Sequence, residues 1–377
     1  MSQLLNPNSY LDTDKVNVNV DISAANTLTS EIYSSESWFE NAKDLIFAKT
    51  WHFVTDDDVL RSENSVFPFM LCKGHLNEPL MFTKDKQDVL RCMSNVCTHR
   101  GNILVQSNQK TRDITCCYHG KRFGLDGCFK SMPGFEGAKN FPSEEDNLPQ
   151  VPFGQFGKML FASLEPAFEF DEAFGEIMNR VGFLPHQNLK FEDDLTRDYL
   201  VKANWMLYCE NYLEGFHIPF VHPGLSAAIE FGNYEYEIGK YYNLQLGIVK
   251  QGEECFDIPE GHVDFGKRIG AYYYWVFPNL MLNFYPWGLS INVVTPIEKE
   301  LTKVRFLTYV WDESKFDKGA GSDLDKVERE DEEIVERVQL GVKSRLYKKG
   351  RYSPTMEKGI HHFHSLITDF IGYKSDS

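Results

Sequence analysis

Two short segments, Cys97-Thr98-His99 and Cys116-Cys117-Tyr118-His119, each offer a thiol and an imidazole, and only residues 100–115 separate them. This constrains the chain more than any other feature, because two thiolates and two imidazoles form a complete ligand set for a metal cluster. Soft thiolates suit one iron of a [2Fe-2S] cluster and neutral imidazoles the other. Histidine ligation also raises the reduction potential above that of an all-cysteine cluster. Gly101 and Gly120 follow the histidines and would let the backbone approach a cluster closely. A Cys2His2 zinc site uses the same residue types, but it usually draws two cysteines and then two histidines, whereas each loop here gives one of each. Chance burial of core cysteines is the remaining reading, and the matched loops CTHRG and CCYHG make it a poor account. The other cysteines are scattered along the chain and form no secreted disulfide framework.

A second constellation lies in ENYLEGFHIPFVHPGL, which starts at Glu210. On a helix predicted over residues 203–217, Glu210, Glu214 and His217 stand at i, i+4 and i+7 and share one face. An undisturbed helix would turn His222 away, yet Pro219 lies between the two histidines and can kink the chain so that they converge. Two histidines and one carboxylate make a facial triad that leaves positions open on Fe(II). The plainer reading is a solvated helix carrying glutamates and a packing histidine. The aromatic surroundings, Trp205, Tyr208, Tyr212 and Phe216, argue against a solvated face.

The rest of the chain supplies the frame. At 377 residues two domains are expected. From Trp51 to about Pro166, β-rich runs such as SVFPFML, PLMFT, VLRCMSNVC and DITCCYHG alternate with turn residues, the pattern of a small antiparallel β domain. Helices are predicted over residues 37–48, 171–181 and 324–346, with a last apolar segment at HHFHSLITDFIGY. Strands are predicted at AYYYWVF, MLNFY, LSINVVTP and KVRFLTYVW, so the second domain reads as α+β. The formal charge of −16 disfavours nucleic acid and anionic membrane as partners. The opening MSQLLNPNSYLDTDK lacks a signal-peptide pattern, and no stretch approaches 18 apolar residues, so a cytoplasmic protein is expected. No G-x-G-x-x-G follows a predicted strand, so NADH should not bind directly.

CTHRG followed by CCYHGKRFGLDG resembles the Rieske domain of ring-hydroxylating oxygenases, whose usual second loop is C-P-Y-H-G, and Cys117 stands where that family has proline. The family's N-W and E/D-x-x-H-x4-H patterns are matched by Asn204-Trp205, Glu214, His217 and His222. The resemblance covers nearly the whole chain after about residue 40. It implies an α+β chain in three parts: a segment 1–48 packing on the catalytic domain, an antiparallel β Rieske [2Fe-2S] domain at 49–166, and a helix-grip (SRPBCC-like) catalytic domain with an antiparallel sheet at 167–377.

By this match Cys97 and Cys116 bind one iron of the cluster, His99 and His119 the other, and His217 and His222 bind the mononuclear Fe(II). Glu214 becomes the acid that bridges to His119 of a neighbouring subunit. The third iron ligand precedes a V-Q-x-G pattern, which selects Asp331 within EREDEEIVERVQLG. Glu330 and Glu332 are alternatives there, and a solvated acidic helix is the plainer reading.

The implied activity is that of the oxygenase component of a monooxygenase, served by a separate NAD(P)H-dependent reductase and assembled as a homotrimer. Glu214 and the tail VQLGVKSRLYKKGRYSPTMEKGIHHFHSLI resemble the choline, betaine and carnitine monooxygenases. A ring-hydroxylating dioxygenase or demethylase of an aromatic acid is the alternative enzyme, and a Rieske electron-transfer protein the alternative class. Aromatic residues from Tyr272 to Trp287 could box a quaternary ammonium, although sheet packing is their plainer role. His361, His362 and His364 read as structural.

Overall fold

The computed structural model describes residues 17–222, 235–316 and 324–372. The chain divides into two compact units, Ala48–Phe168 and the two stretches that flank it.

The inner unit holds β1 (His52–Asp56), β2 (Ser65–Leu71), β3 (Glu78–Lys84), β4 (Leu90–Ser94), β5 (Gln109–Lys110), β6 (Asp113–Thr115), β7 (Arg122–Gly124), β8 (Phe129–Ser131), β9 (Phe153–Phe156) and β10 (Met159–Ala162). They form three antiparallel sheets, ordered β1-β10-β9, β4-β3-β2-β5 and β6-β7-β8. Successive strand residues face opposite ways, and Met81 and Phe82 of β3 are both fully buried, each in a different cluster. The Met81 cluster includes Ile114, Phe123, Cys97 and Cys116. One face of the central sheet therefore anchors both cysteine loops, which leave β4 and β6.

In the flanking unit, α1 (Glu36–Leu45) starts at Ser35, whose hydroxyl accepts from Trp38 N at 3.2 Å. Then come α2 (Phe170–Val181), β11 (Lys190–Phe191), β12 (Arg197–Val201), α3 (Trp205–Tyr212) and α4 (Ile218–Val221). Beyond them lie β13 (Glu235–Ile238), β14 (Tyr242–Ile248), β15 (Ile269–Val276), β16 (Leu280–Tyr285), β17 (Gly288–Glu298) and β18 (Leu301–Val310), then α5 (Leu324–Val342) and α6 (Lys358–Gly372). The antiparallel sheet runs β11-β18-β17-β16-β15-β14-β13, with β12 also paired to β18.

Both faces of this sheet are covered, which explains its near-continuous apolar and aromatic runs. Trp275 meets Phe363 of α6 at 5.1 Å on one face, while Tyr242 donates to Glu176 of α2 on the other. Tyr272, Tyr274, Trp275, Phe277, Phe284 and Trp287 are all essentially solvent-free. The residues before Phe47 pack within this unit: Thr27 N bonds to Gly350 O at 3.2 Å, and Phe47 lies edge-on to Trp205 at 5.1 Å. No helix among the described residues is long and apolar enough to cross a membrane.

Candidate metal centres

The helix expected over residues 203–217 is shorter than its pattern. It begins at Asn204, whose side chain accepts from Met206 N at 3.0 Å, and it ends at Tyr212. Pro219 has no N–H for an i→i−4 bond to Gly215, so the chain turns and restarts as α4 with Pro219 in its first turn. Glu214 Oε2 accepts from His217 N at 3.0 Å and steadies that turn.

The shared face of Glu210, Glu214 and His217 is thereby lost. Glu210 Oε1 instead accepts from Tyr33 Oη at 2.8 Å and lies 3.0 Å from His364 Nε2. His364 also meets Tyr352 Oη at 2.6 Å, a packing role for that histidine.

The two histidines flanking α4 do converge, with ring centroids 5.2 Å apart. Asp331 of α5 joins them: its Oδ1 lies 2.9 Å from His222 Nε2 and 3.4 Å from His217 Nε2. Among the described residues, His217, His222 and Asp331 form the one group of three whose donor atoms all lie within 4.8 Å of one another. The other nitrogen of each ring faces an acid: His217 Nδ1 is 2.7 Å from Glu214 Oε1, and His222 Nδ1 is 2.7 Å from Glu330 Oε2. A carboxylate on Nδ1 fixes the tautomer that leaves the Nε2 lone pair for a metal.

Glu330, one of the alternative ligands, therefore orients a histidine. Glu332 is not in the trio, and Glu328 is buried with both oxygens on Tyr208 Oη, at 2.8 and 2.7 Å, which ties α5 to α3. Burial penalises an imidazolium here, but Asp331 and Glu214 outweigh it and raise His217 to about 9, and His222 rises through Asp331 and Glu330. Burial works against the Asp331 carboxylate too, yet the two histidines hold it below the usual range. The field that favours protons in this cleft equally favours a cation among the three donors, so these residues fit a metal.

In the inner unit, the two cysteine loops close in the same way. Gly101 N donates to Cys97 O and Gly120 N to Cys116 O, both at 3.0 Å. The glycines have φ of +69° and +75°, which disfavours any side chain there. Cys97 and Cys116 are buried, whereas Cys117 is exposed. The His99 and His119 rings lie 4.7 Å apart, and His119 Nδ1 is buried without a hydrogen-bond partner among the described residues. An orphaned imidazole nitrogen beside two inward thiols is what a cluster ligand looks like without its metal. Burial alone would raise the Cys116 thiol, but the N–H groups of Tyr118 and His119, Cys97 and Asn102 outweigh it and favour the thiolate.

Three supporting residues went unnoticed in the sequence. Asn102 Nδ2 lies 3.7 Å from Cys116 Sγ and 3.6 Å from Cys117 Sγ. Lys121 is buried, donates to Asp146 Oδ1 at 2.7 Å and sits over the rings of Phe123, Phe129 and Phe141. Asp146 also accepts from Thr98 Oγ1 through its carbonyl at 2.9 Å, so one residue steadies both loops. No spacing rule links Asp146 to either loop, and only the fold brings them together.

Comparison with known proteins adds two family matches: the Rieske [2Fe-2S] domain over residues 50–142, and the ring hydroxylating alpha subunit catalytic domain over residues 188–372. The chain is 28% identical to the chloroplastic choline monooxygenase of Arabidopsis thaliana, covering 92% of this chain and 83% of that protein. It is 29% identical to the carnitine monooxygenase oxygenase subunit of Escherichia coli, covering 90% and 92%. Its fold is similar to that of the quaternary ammonium Rieske monooxygenase CntA in complex with L-carnitine (TM-score 0.73, 24% identity, 96% and 99% covered). It is also similar to naphthalene 1,2-dioxygenase (TM-score 0.71, 17% identity, 96% and 95% covered).

Proposed function

The chain belongs to the Rieske non-haem iron oxygenases, and from that premise we propose that it is the oxygenase component of a two-component monooxygenase acting on a quaternary ammonium compound. The observation that carries the reading is the trio of His217, His222 and Asp331 with an acid behind each imidazole. The choline and carnitine monooxygenases among its relatives support the substrate class. The product is a hydroxylated or N-demethylated amine. The protein works as a cytoplasmic homotrimer with a separate NAD(P)H-dependent reductase.

In this reading Cys97 and Cys116 hold one iron of the [2Fe-2S] cluster, His99 and His119 the other, and His217, His222 and Asp331 hold the mononuclear iron. When bound, the cluster would supply single electrons and the mononuclear iron would supply oxygen activation. The protein's own task is orientation and proton control. Glu214 and Glu330 keep both Nδ1–H groups occupied, so the Nε2 atoms stay directed at Asp331. Asn102 directs an amide N–H towards the thiolate sulfur of Cys116.

Three results are expected. Asn102→Ala should lower the cluster's reduction potential, because an N–H donated to sulfur stabilises the reduced, more negative form. An EPR-monitored redox titration that gave an unchanged midpoint would remove Asn102 from that role.

Glu214→Ala tests the bridging role, in which the carboxylate joins His217 to His119 of a neighbouring copy. The variant should keep its Rieske spectrum and, at saturating iron, its mononuclear metal, while steady-state turnover collapses. Iron affinity itself should weaken by roughly 10–100-fold, the usual effect of losing a group that orients a metal-bound histidine. Normal turnover in iron-replete variant protein would refute the bridge. For the reading as a whole, anaerobically purified protein should give a Rieske EPR signal on reduction and substrate-dependent oxygen uptake with quaternary amines. A colourless zinc protein would sink it.

A further inference from the structure

The sheet face turned towards α3 carries a row of polar side chains. The strand register sets Gln245 opposite Tyr273, Tyr273 opposite Asn283, and Asn283 opposite Ser290, and residues opposite one another share a face. Tyr212, the last residue of α3, lies on this row. Its hydroxyl donates to Asn283 Oδ1 at 2.6 Å, and its carbonyl accepts from Gln245 Nε2 at 2.8 Å. Only residues 213–216 separate Tyr212 from His217, so the row underlies the chain that leads into the proposed iron site.

A buried polar atom without a partner needs an explanation. Gln245 is 2% exposed, its Nε2 is committed to Tyr212, and its Oε1 has no partner among the described residues. Tyr273 of this row also belongs to a cluster of four aromatic rings, of which Tyr285 shares its sheet face. Tyr273 meets Tyr285 edge-on at 5.9 Å, Tyr285 stacks on Trp287 at 5.1 Å, and Phe316 meets Trp287 edge-on at 5.0 Å. Among the described residues of this unit, no lysine or arginine is buried.

Resting on the functional reading above, we infer that the substrate carries a hydroxyl beside its quaternary ammonium and no carboxylate, as in choline; glycine betaine lacks the hydroxyl, and carnitine has the hydroxyl but adds a carboxylate. The aromatic rings suit the ammonium, because their faces attract a cation. Gln245 Oε1 is a buried acceptor that requires a donor: a hydroxyl has a proton to give, whereas a carboxylate has none. A carboxylate brought here would also be buried with no buried lysine or arginine among the described residues of this unit to pair with, and an unpaired buried charge is strongly unfavourable.

The test is calorimetric titration of the purified holoprotein with choline, L-carnitine, glycine betaine, tetramethylammonium and benzoate, in wild type and Gln245→Leu. Choline should bind wild type at least tenfold more tightly than either carboxylate-bearing amine. Gln245→Leu should weaken choline about tenfold, as expected for one buried hydrogen bond. Tetramethylammonium, which lacks the hydroxyl, should bind both proteins alike, and that equality also shows that the variant is folded. Carnitine or betaine binding as tightly as choline, or choline binding unaffected by the substitution, would overturn the inference and leave the quaternary-amine reading standing. Binding of benzoate with none of the ammonium compounds would overturn the functional reading itself.

Discussion

Asp331→Ala should strip the mononuclear iron from the protein and leave the cluster in place, giving about two irons per chain rather than about three. The expectation rests on one atom. Asp331 Oδ1 is the point on which both Nε2 nitrogens converge, at 2.9 and 3.4 Å, and no other acid of α5 reaches both rings. Losing a group that merely orients a ligand weakens metal binding by roughly 10–100-fold, so loss of a ligand should weaken it further and take turnover with it. Iron and sulfide assays with the EPR spectrum of the reduced cluster are the measurement. Glu333→Ala is the control, because Glu333 is exposed and pairs only with Arg337 one turn along, an arrangement worth less than about 1 kcal/mol. If Asp331→Ala kept its third iron while Glu330→Ala lost it, the ligand would be the neighbouring residue.

The largest effect on stability should come from Arg180→Met. Arg180, near the end of α2, clamps two acids with its guanidinium fork. It bonds Asp264 through Nε and through Nη2 (2.8 Å), and Glu237 through Nη2 (2.8 Å) and Nη1 (3.2 Å). Asp264 is fully buried. Among the described residues, removing the arginine leaves that carboxylate with Tyr272 Oη at 3.2 Å, Lys267 Nζ at 3.4 Å and His262 Nδ1 at 3.8 Å as its remaining polar side-chain neighbours. Breaking a buried pair from one side typically costs about 3–5 kcal/mol. A denaturant midpoint should fall accordingly in Arg180→Met, and Arg180→Met with Asp264→Asn should recover part of the loss, because the uncompensated charge goes. Loss of less than about 1 kcal/mol in the single variant would mean that Lys267 or water takes over the carboxylate. The effect should reach the metal site, because Glu237 is next to Tyr236, whose hydroxyl accepts from Gly215 N at 2.9 Å between Glu214 and His217.

Much of the architecture was legible because its signals are local. The strand at 65–71 is found at its expected residues, and the helix expected over 171–181 is found one residue longer, at Phe170–Val181. Turn chemistry and periodicity decide such elements. The helix expected over 203–217 failed for a reason that helical spacing alone cannot weigh. Pro219 terminates the hydrogen-bond ladder from a distance, and Glu214 is more useful steadying the turn than standing on a face.

The acidic run of α5 was opaque for a different reason. Asp331, Glu330 and Glu328 are equivalent in sequence, yet they face two imidazoles, the back of one imidazole and a tyrosine hydroxyl. Helical rotation separates their tasks, and only tertiary contact reveals which face meets the histidines. Asn102, Lys121 and Asp146 carry no motif and act through contacts that the β domain creates.

The spacing of the two proposed ligand sets bears on how the protein is made. Cys97 to His119 spans two loops, each closed by its own backbone hydrogen bonds within the inner unit. His222 and Asp331, by contrast, stand at the two ends of a stretch that contains six strands of the larger sheet. Closing so long a loop waits on the pairing of everything between. On the proposed ligand assignments, the cluster loops are complete while the C-terminal half is still emerging from the ribosome, whereas the mononuclear iron site is complete only once the last strands and α5 are laid down. Iron starvation late in synthesis would then yield a coloured, folded, cluster-bearing chain that is competent to be activated afterwards by ferrous iron alone.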